Sequence, residues 1–278
     1  MDESTSQYAV LVPIHRINES VYECLDSIIS DVPNEVVIYC VLHNPTQDLR
    51  NFLADYPNLM RITVFEKIAP TLSGVLNFAL ESIPEPWVFR MDSDDLWLKG
   101  RFSKQISFLK MRPDAWAIGG ALEVFDRING KTYSIYENEA CEVSRKTLLE
   151  GCLIPNPTTL FNRKKVLSIG GYNIAYEAAE DYELWSRVVF LGRINRQNET
   201  LVKDFIHSES QSIAKKEIQA IETRHIKFNM AMMDLRIPPC KLSHAVGTSL
   251  YCHTLEMFQI FCERFFGDSN KLSRKVSS

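Results

Sequence analysis

Five short apolar runs, separated by segments of helical periodicity, dominate the first 120 residues. The runs at 8–12, 35–42, 61–65, 87–91 and 115–119 are rich in β-branched and aromatic side chains and read as strands. Between them apolar positions recur at helical spacing. Val21, Leu25, Ile28 and Ile29 follow a capping residue at Asn18, and Leu49, Phe52 and Leu53 follow Pro45. Val75, Leu76, Ala79 and Leu80 share one face of 73–82, and 100–111 is again helical. This alternation predicts an α/β fold, a doubly wound and mostly parallel sheet flanked by helices. The 35–42 run is almost continuously apolar, as expected of a central strand covered on both faces. Ligands on such sheets lie beyond the carboxyl ends of the strands, so chemistry is expected in the loops after Val12, Leu42 and Met91.

Beyond residue 120 the pattern changes. Asn129-Gly130 signals a turn between two strand-like stretches, Pro155-Asn156-Pro157 a rigid loop, and 179–191 an amphipathic helix. From about 214 the chain reads as helical, and Pro238-Pro239 separates a last segment. The expected organisation is a domain over 1–212, split at 120 into a ligand-binding and a catalytic half, with a helical C-terminal region over 213–278. At 278 residues and 45% hydrophobic, the chain is able to bury a large core and is neither disordered nor fibrous. The net charge of −4 argues against nucleic acid as a partner, because phosphate binding needs a basic face. Seven scattered cysteines without a C-x-x-C pair fit free thiols in a reducing compartment. A polar N-terminus and the lack of any run near 20 apolar residues predict a cytoplasmic protein whose membrane contact, if any, is peripheral.

The most informative stretch is Arg90-Met91-Asp92-Ser93-Asp94-Asp95. Three carboxylates crowd four positions directly after an apolar strand, where repulsion and lost hydration are costly without a neutralising cation. A solvated acidic turn is the plain alternative; the position at a strand's carboxyl end favours an oxygen-rich site for Mg²⁺ or Mn²⁺ bridging to phosphates. Glu180-Asp181 opens the 179–191 helix, where acids also simply complement the helix dipole. That dipole keeps Asp181 ionised, as a general base must be. His207 follows Phe205-Ile206; a lone histidine is more often structural than a ligand, and only its place after the two acidic motifs raises the second reading.

Together, Val10-Leu11-Val12-Pro13, Asp92-Ser93-Asp94-Asp95, Gly170-Gly171-Tyr172 and the 180–185 run Glu-Asp-Tyr-Glu-Leu-Trp resemble family 2 glycosyltransferases of the GT-A fold. Arg90 through Asp95 is most similar to the bacterial branch that reads RMDADD, with Ser93 in place of Ala, and Leu76-Asn77 and Asn156-Pro157 fit that branch too. The resemblance covers roughly residues 8–212. It implies an inverting, metal-dependent transfer of a hexose or N-acetylhexosamine from a nucleotide sugar, usually a UDP-sugar. The acceptor would be a hydroxyl of a glycan or a polyprenyl-diphosphate-linked acceptor, in bacterial surface polysaccharide (O-antigen, capsule or lipopolysaccharide) biosynthesis. By the same resemblance Pro13, His15, Asn44, Asn77, Arg90, Asp92 and Ser93 hold the donor, and Asp94 and His207, with Asp92 as a further candidate, bind Mn²⁺ or Mg²⁺. Asp181 deprotonates the acceptor. Three positions depart from the family pattern. The 43–48 loop lacks the acids that read uracil, leaving Asn44 to face a base edge; Phe205 replaces a frequent arginine; and His15-Arg16 replaces a tyrosine or asparagine, with Arg16 a candidate for phosphate.

In the C-terminal segment Tyr251, Leu255, Phe258, Cys262 and Phe265 share a helical face, with Lys271, Arg274 and Lys275 beyond. The segment fits a helix docked on the protein's own core or one lying on the inner face of an anionic membrane through 251–278. Two other functions use related sheets. A catalytically silent nucleotide-sugar-binding module would keep the pocket without turnover. A sugar nucleotidyltransferase would want a glycine-rich basic loop after the first strand, which Pro13-Ile14-His15-Arg16 is not.

Overall fold

The computed structural model describes residues 5–135, 140–206 and 214–234. His207 and the 251–278 segment therefore lie outside the described residues. Four parallel strands form one half of the sheet: β1 (Tyr8–Ile14), β2 (Val37–His43), β3 (Ile62–Lys67) and β4 (Trp87–Arg90), in the order β3-β2-β1-β4. Every residue of β1 is buried, and so are the five central residues of β2. Side chains alternate across a strand, so these runs need cover on both faces. On one face Val10, Val12 and Ile14 join Val21, Cys24, Leu25 and Ile28 of α1 (Ser20–Ile29) and Leu49 and Leu53 of α2 (Gln47–Ala54). On the other, α3 (Leu72–Ser82) buries Val75, Leu76, Ala79 and Leu80. Each fully buried aliphatic side chain of this kind contributes about 1.5–3 kcal/mol. The N-cap of α1 is Glu19, which makes no side-chain cap bond, rather than the expected Asn18, which accepts the backbone N–H of Ser20 at 3.1 Å one position earlier; Thr46 caps α2 through the N–H of Leu49 at 3.2 Å.

The second half of the sheet is mixed, a departure from mostly parallel pairing. After β5 (Leu96–Trp97) and α4 (Arg101–Lys110) comes β6 (Ala115–Asp126), which pairs antiparallel with β7 (Lys131–Ile135). Between them lies the Asn129-Gly130 turn, with Gly130 at φ +69°. β8 (Cys141–Glu142) and α5 (Arg145–Glu150) follow. Then β9 (Leu160–Asn162) inserts antiparallel between β4 and β6, and α6 (Arg163–Ser168) and α7 (Glu180–Leu191) lead into β10 (Arg193–Ile206). β10 runs parallel to β6 and antiparallel to β5 and β8. Three residues at β9 are too few to show a period, so the sequence pattern alone left it unassigned.

The chain divides into two compact units, 1–223 and 224–278. α8 (Lys216–Asp234) crosses the boundary, and the described part of the second unit is its last turns. Among the described residues no helix is long and apolar enough to cross a membrane. Cys24, Cys40, Cys141 and Cys152 are free thiols.

Candidate active site

A cavity of about 350 Å³ opens at the carboxyl ends of β1 and β4. Its walls carry Pro13, His15, Arg16 and His43 from the β1 and β2 ends, and Arg90 with Asp92 to Asp95 from β4. Opposite stand Glu180 and Asp181 from the start of α7, Asp204 and Phe205 from β10, and Lys215 and Gln219. Asp94 and Asp181, distant in sequence, thus face one space.

The acidic loop is pinned at both ends. Met91 N–H donates to Leu11 O at 3.0 Å, extending the β1–β4 pairing by one residue, and Asp95 N–H turns back to Asp92 O at 3.4 Å. On leaving the loop, β5 pairs antiparallel with β10, with Leu96 opposite Lys203. That register sets Asp204 opposite Asp95. Beneath the loop lies Arg101, fully buried, which donates to Arg90 O at 3.0 Å and to Gln105 Oε1 at 2.9 Å and stacks on Trp97 at 4.0 Å. Burial lowers its pKa to about 9.

The electrostatics follow from crowding. Asp95 is 3% exposed, and burial, then Asp92 and Asp204, push its pKa well above the carboxylate range. Asp204 rises to about 6, chiefly by burial. Arg90 is 2% exposed and ion-paired to Asp92. Burial by itself disfavours the guanidinium charge, but Asp92, with Tyr172 and Glu180 nearby, outweighs it and the pKa is raised. Arg90 also acts on Glu180 and Asp181, so one buried cation stands between the two acidic motifs. Glu180 is lifted to about 8 by burial and then by Asp181. Asp181 is raised by burial, but Tyr182 N–H at 2.6 Å and the backbone N–H of Asn156 oppose that. Two amide donors aimed at Asp181 favour its charged form and oppose the effect of burial. Asp94 faces Arg16 at 3.5 Å. Burial and then Arg16 lower the pKa of His15, which Asp94 partly offsets.

Two residues expected to hold the donor stand elsewhere. The side chain of Asn44, whose backbone sits at φ +49°, is spent on Ala69: Nδ2 donates to its carbonyl and Oδ1 accepts its N–H, both at 3.0 Å. Asn44 thereby ties the β2 and β3 loops together and does not line the cavity. Asn77 makes the equivalent pair with Tyr172, accepting its N–H and donating to its carbonyl, each at 2.8 Å. This explains Gly171: at φ +66°, a Cβ there would lie 2.4 Å from Asn77 Oδ1. Asp204, Lys215 and Gln219 line the cavity without having been singled out in the sequence.

A metal must be tested against these residues. Among the described residues no three His, Cys, Asp or Glu side chains are close enough to hold an ion by themselves. The donor set nonetheless suits a hard cation completed by substrate oxygens and water, because Asp92, Asp94, Asp95 and Asp204 offer only oxygens and their mutual repulsion is under-neutralised.

A strand-edge cavity with acidic residues in its lining, at the end of a parallel β3-β2-β1-β4 unit continued by mixed strands, is the GT-A arrangement that the sequence resemblance implies. The model of Glycosyl transferase family 2 matches residues 9–169, more than half of the chain. The chain belongs to that family. It is 29% identical over 194 residues to the amylovoran biosynthesis glycosyltransferase AmsE of Erwinia amylovora, covering 66% of this chain and 70% of that one. Over 209 residues it is 22% identical to WfaP of Escherichia coli, a UDP-Glc:alpha-D-GlcNAc-diphosphoundecaprenol beta-1,3-glucosyltransferase, covering 74% and 80%. Among solved structures it is similar to S. aureus TarS 1–349 in complex with UDP-GlcNAc, at TM-score 0.66 and 15% identity over 81% of this chain and 66% of that one.

Proposed function

We propose that the chain transfers a hexose or N-acetylhexosamine from a UDP-sugar to a hydroxyl of a glycan or lipid-diphosphate-linked acceptor, with inversion, in bacterial surface polysaccharide synthesis. The observation that carries this reading is the shared cavity of Asp94 and Asp181. AmsE is by its name a glycosyltransferase of amylovoran biosynthesis, and WfaP by its name transfers glucose from UDP-Glc to GlcNAc-diphosphoundecaprenol.

Asp94 and His207, with Asp92 as a further candidate, would hold Mg²⁺ or Mn²⁺, which would neutralise a diphosphate leaving group as a Lewis acid. Pro13, Ser93 and Arg90 shape the donor wall, and Arg16 adds positive charge beside Asp94. Asp181 accepts the proton of the acceptor hydroxyl as that oxygen attacks the anomeric carbon. The new C–O bond forms as the bond from that carbon to the diphosphate oxygen breaks, and the electron pair leaves with the diphosphate. Attack from the face opposite the leaving group inverts the centre. A lipid-linked acceptor places the enzyme at the inner face of the cytoplasmic membrane.

The test is a panel of nucleotide sugars with and without Mn²⁺, read first as thermal stabilisation and then as turnover on a lipid-diphosphate glycan. Stabilisation by one UDP-sugar that requires Mn²⁺, followed by transfer, is expected. No stabilisation by any nucleotide sugar overturns the reading, and binding without transfer leaves a silent module.

A further inference from the structure

Glu222 lies outside the cavity wall, yet it is bound to the segment that delivers the base. One carboxylate oxygen accepts the backbone N–H of Glu177 at 2.7 Å, and the other accepts those of Ala178 and Ala179, both at 2.9 Å. These amides immediately precede α7, whose first two residues are Glu180 and Asp181. A helix start of this kind is ordinarily satisfied by a Ser, Thr, Asp or Asn side chain at the cap. Here the cap is Ala179, which has none to offer. A carboxylate from α8, 43–45 positions away in sequence, instead ties down the amides at and just before that cap. Lys215 adds a fourth tie, donating to Glu177 O at 3.4 Å, and itself reaches the cavity. Hydrogen bonds from amides to an ionised carboxylate are about twice as strong as neutral ones. Asp181's own charge state is set by burial, by the Tyr182 and Asn156 N–H groups, and by Arg90 and Asp92. Glu222 therefore acts through the backbone it holds.

We propose that Glu222 is a positioning residue for catalysis: by fixing the 177–179 backbone it holds the start of α7, and with it the Asp181 carboxylate, in line with the acceptor hydroxyl. This rests on the reading of Asp181 as the base. General-base transfer needs hydrogen-bond reach, and a misplacement of about 1 Å costs roughly a hundredfold in rate. The donor contacts proposed above sit on the β1 and β4 ends, while the clamped Glu177 and Ala178 line the same cavity beside Glu180 and Asp181.

The experiment compares Glu222→Gln and Glu222→Asp with Asp181→Asn and with Glu217→Gln, an exposed control on the same helix, all in the full chain. Read out are kcat, donor KM, thermal midpoint, and amide hydrogen exchange of the 177–179 segment. Gln keeps the size but presents an N–H₂ to the amides, so their exchange should quicken at least about tenfold and kcat fall by about ten- to a hundredfold. Donor KM should stay within about twofold, and Asp should fall between wild type and Gln because it keeps the carboxylate. Wild-type kcat in Glu222→Gln, or unchanged exchange at 177–179, overturns the proposal, as does a kcat loss that Glu222→Asp does not lessen. Should Asp181→Asn itself retain turnover, the base assignment fails and this proposal falls with it. If Asp181→Asn is dead while Glu222→Gln is fully active, the clamp alone is wrong.

Discussion

Replacing Asp181 by Asn is the sharpest probe of the site, because the geometry lets it remove a charge and little else. Asn has the same shape, and its Oδ1 can still accept the Tyr182 N–H, which Asp181 Oδ1 accepts at 2.6 Å. Arg90 keeps its partner Asp92, so the donor wall stays in place. What disappears is a proton acceptor, worth about 10²–10⁴ in rate, or about 2.7–5.4 kcal/mol at 1.36 kcal/mol per decade. In the wild type, kcat should rise with pH as Asp181 loses its proton. Burial moves that limb above the ordinary carboxylate range. In Asp181→Asn the limb should vanish and the plateau drop by two to four decades. Glu180 complicates the residual rate: without the Asp181 charge it loses one of the influences that lift its pKa to about 8, so it ionises more readily. Any surviving pH dependence should therefore follow Glu180 and disappear in the double variant with Glu180→Gln. The assay is initial-rate release of the nucleoside diphosphate, with donor affinity measured separately by calorimetry. Turnover within about threefold of wild type refutes the assignment of base, and a donor affinity that falls as far as kcat would mean that Asp181 holds the donor instead.

The other predictions concern the metal side, the structural amides and the acid pairs. Asp94→Ala should weaken donor binding at least about tenfold in the presence of Mn²⁺ and leave metal-free binding unchanged, as read by calorimetry; full wild-type activity in a chelator would contradict the metal assignment. Asn77→Ala should lower the thermal midpoint by several degrees, since two hydrogen bonds to Tyr172 are lost at about 1–3 kcal/mol each where a buried group is left unpaired. Donor KM should not move, and a raised KM at unchanged stability would restore Asn77 to the donor site. For pH, Glu180 and Asp204 keep their protons in the folded state, up to about 8 and about 6, while the unfolded chain releases them near ordinary carboxylate values. The unfolded state then binds fewer protons over that window, so their stabilising contribution is complete below about pH 4. It is lost as pH rises through 6 and then 8. The metal-free protein should melt higher at pH 5 than at pH 8, and Glu180→Gln should flatten the upper part of that slope; a midpoint that rises from pH 5 to pH 8 contradicts it.

The parallel half of the sheet was legible because each of its elements is long enough to show a period and is covered on both faces. β2 announces itself through five consecutive buried residues, and α3 through an apolar stripe that the structure buries intact. The acidic residues were legible for a different reason: carboxylates packed against a strand end are improbable without a use. Side-chain amides carry no such signature. Asn44 and Asn77 look like ligand donors in sequence, but an amide presents both a donor and an acceptor, the pair that an unpaired backbone N–H and C=O require. Ala69 and Tyr172 claim them first. Glu222 was hidden because its partners are backbone groups, which have no residue identity to recognise.

Asp204 shows where the remaining information resides. Its role follows from neither its identity nor its neighbours in sequence, but from the pairing of two-residue β5 with β10. A shift of that register by one residue would turn Asp204 away from Asp95 and carry Lys203 toward the acidic loop, since successive side chains on a strand face opposite sides. Trp97 resists such a slip: its indole donates to Asp31 Oδ2 at 2.8 Å, its backbone N–H to Ser27 Oγ at 3.0 Å, and its ring stacks on the buried Arg101. The charge pattern of the cavity is therefore fixed by the packing of an aromatic residue that never touches it. The prediction is that Trp97→Ala, at a cost of about 3–5 kcal/mol, changes metal-linked donor affinity as well as stability, although no cavity residue is altered. Calorimetry on the folded fraction decides: unchanged Mn²⁺-dependent donor affinity in that variant would show that the acidic loop holds its geometry without the β5 register.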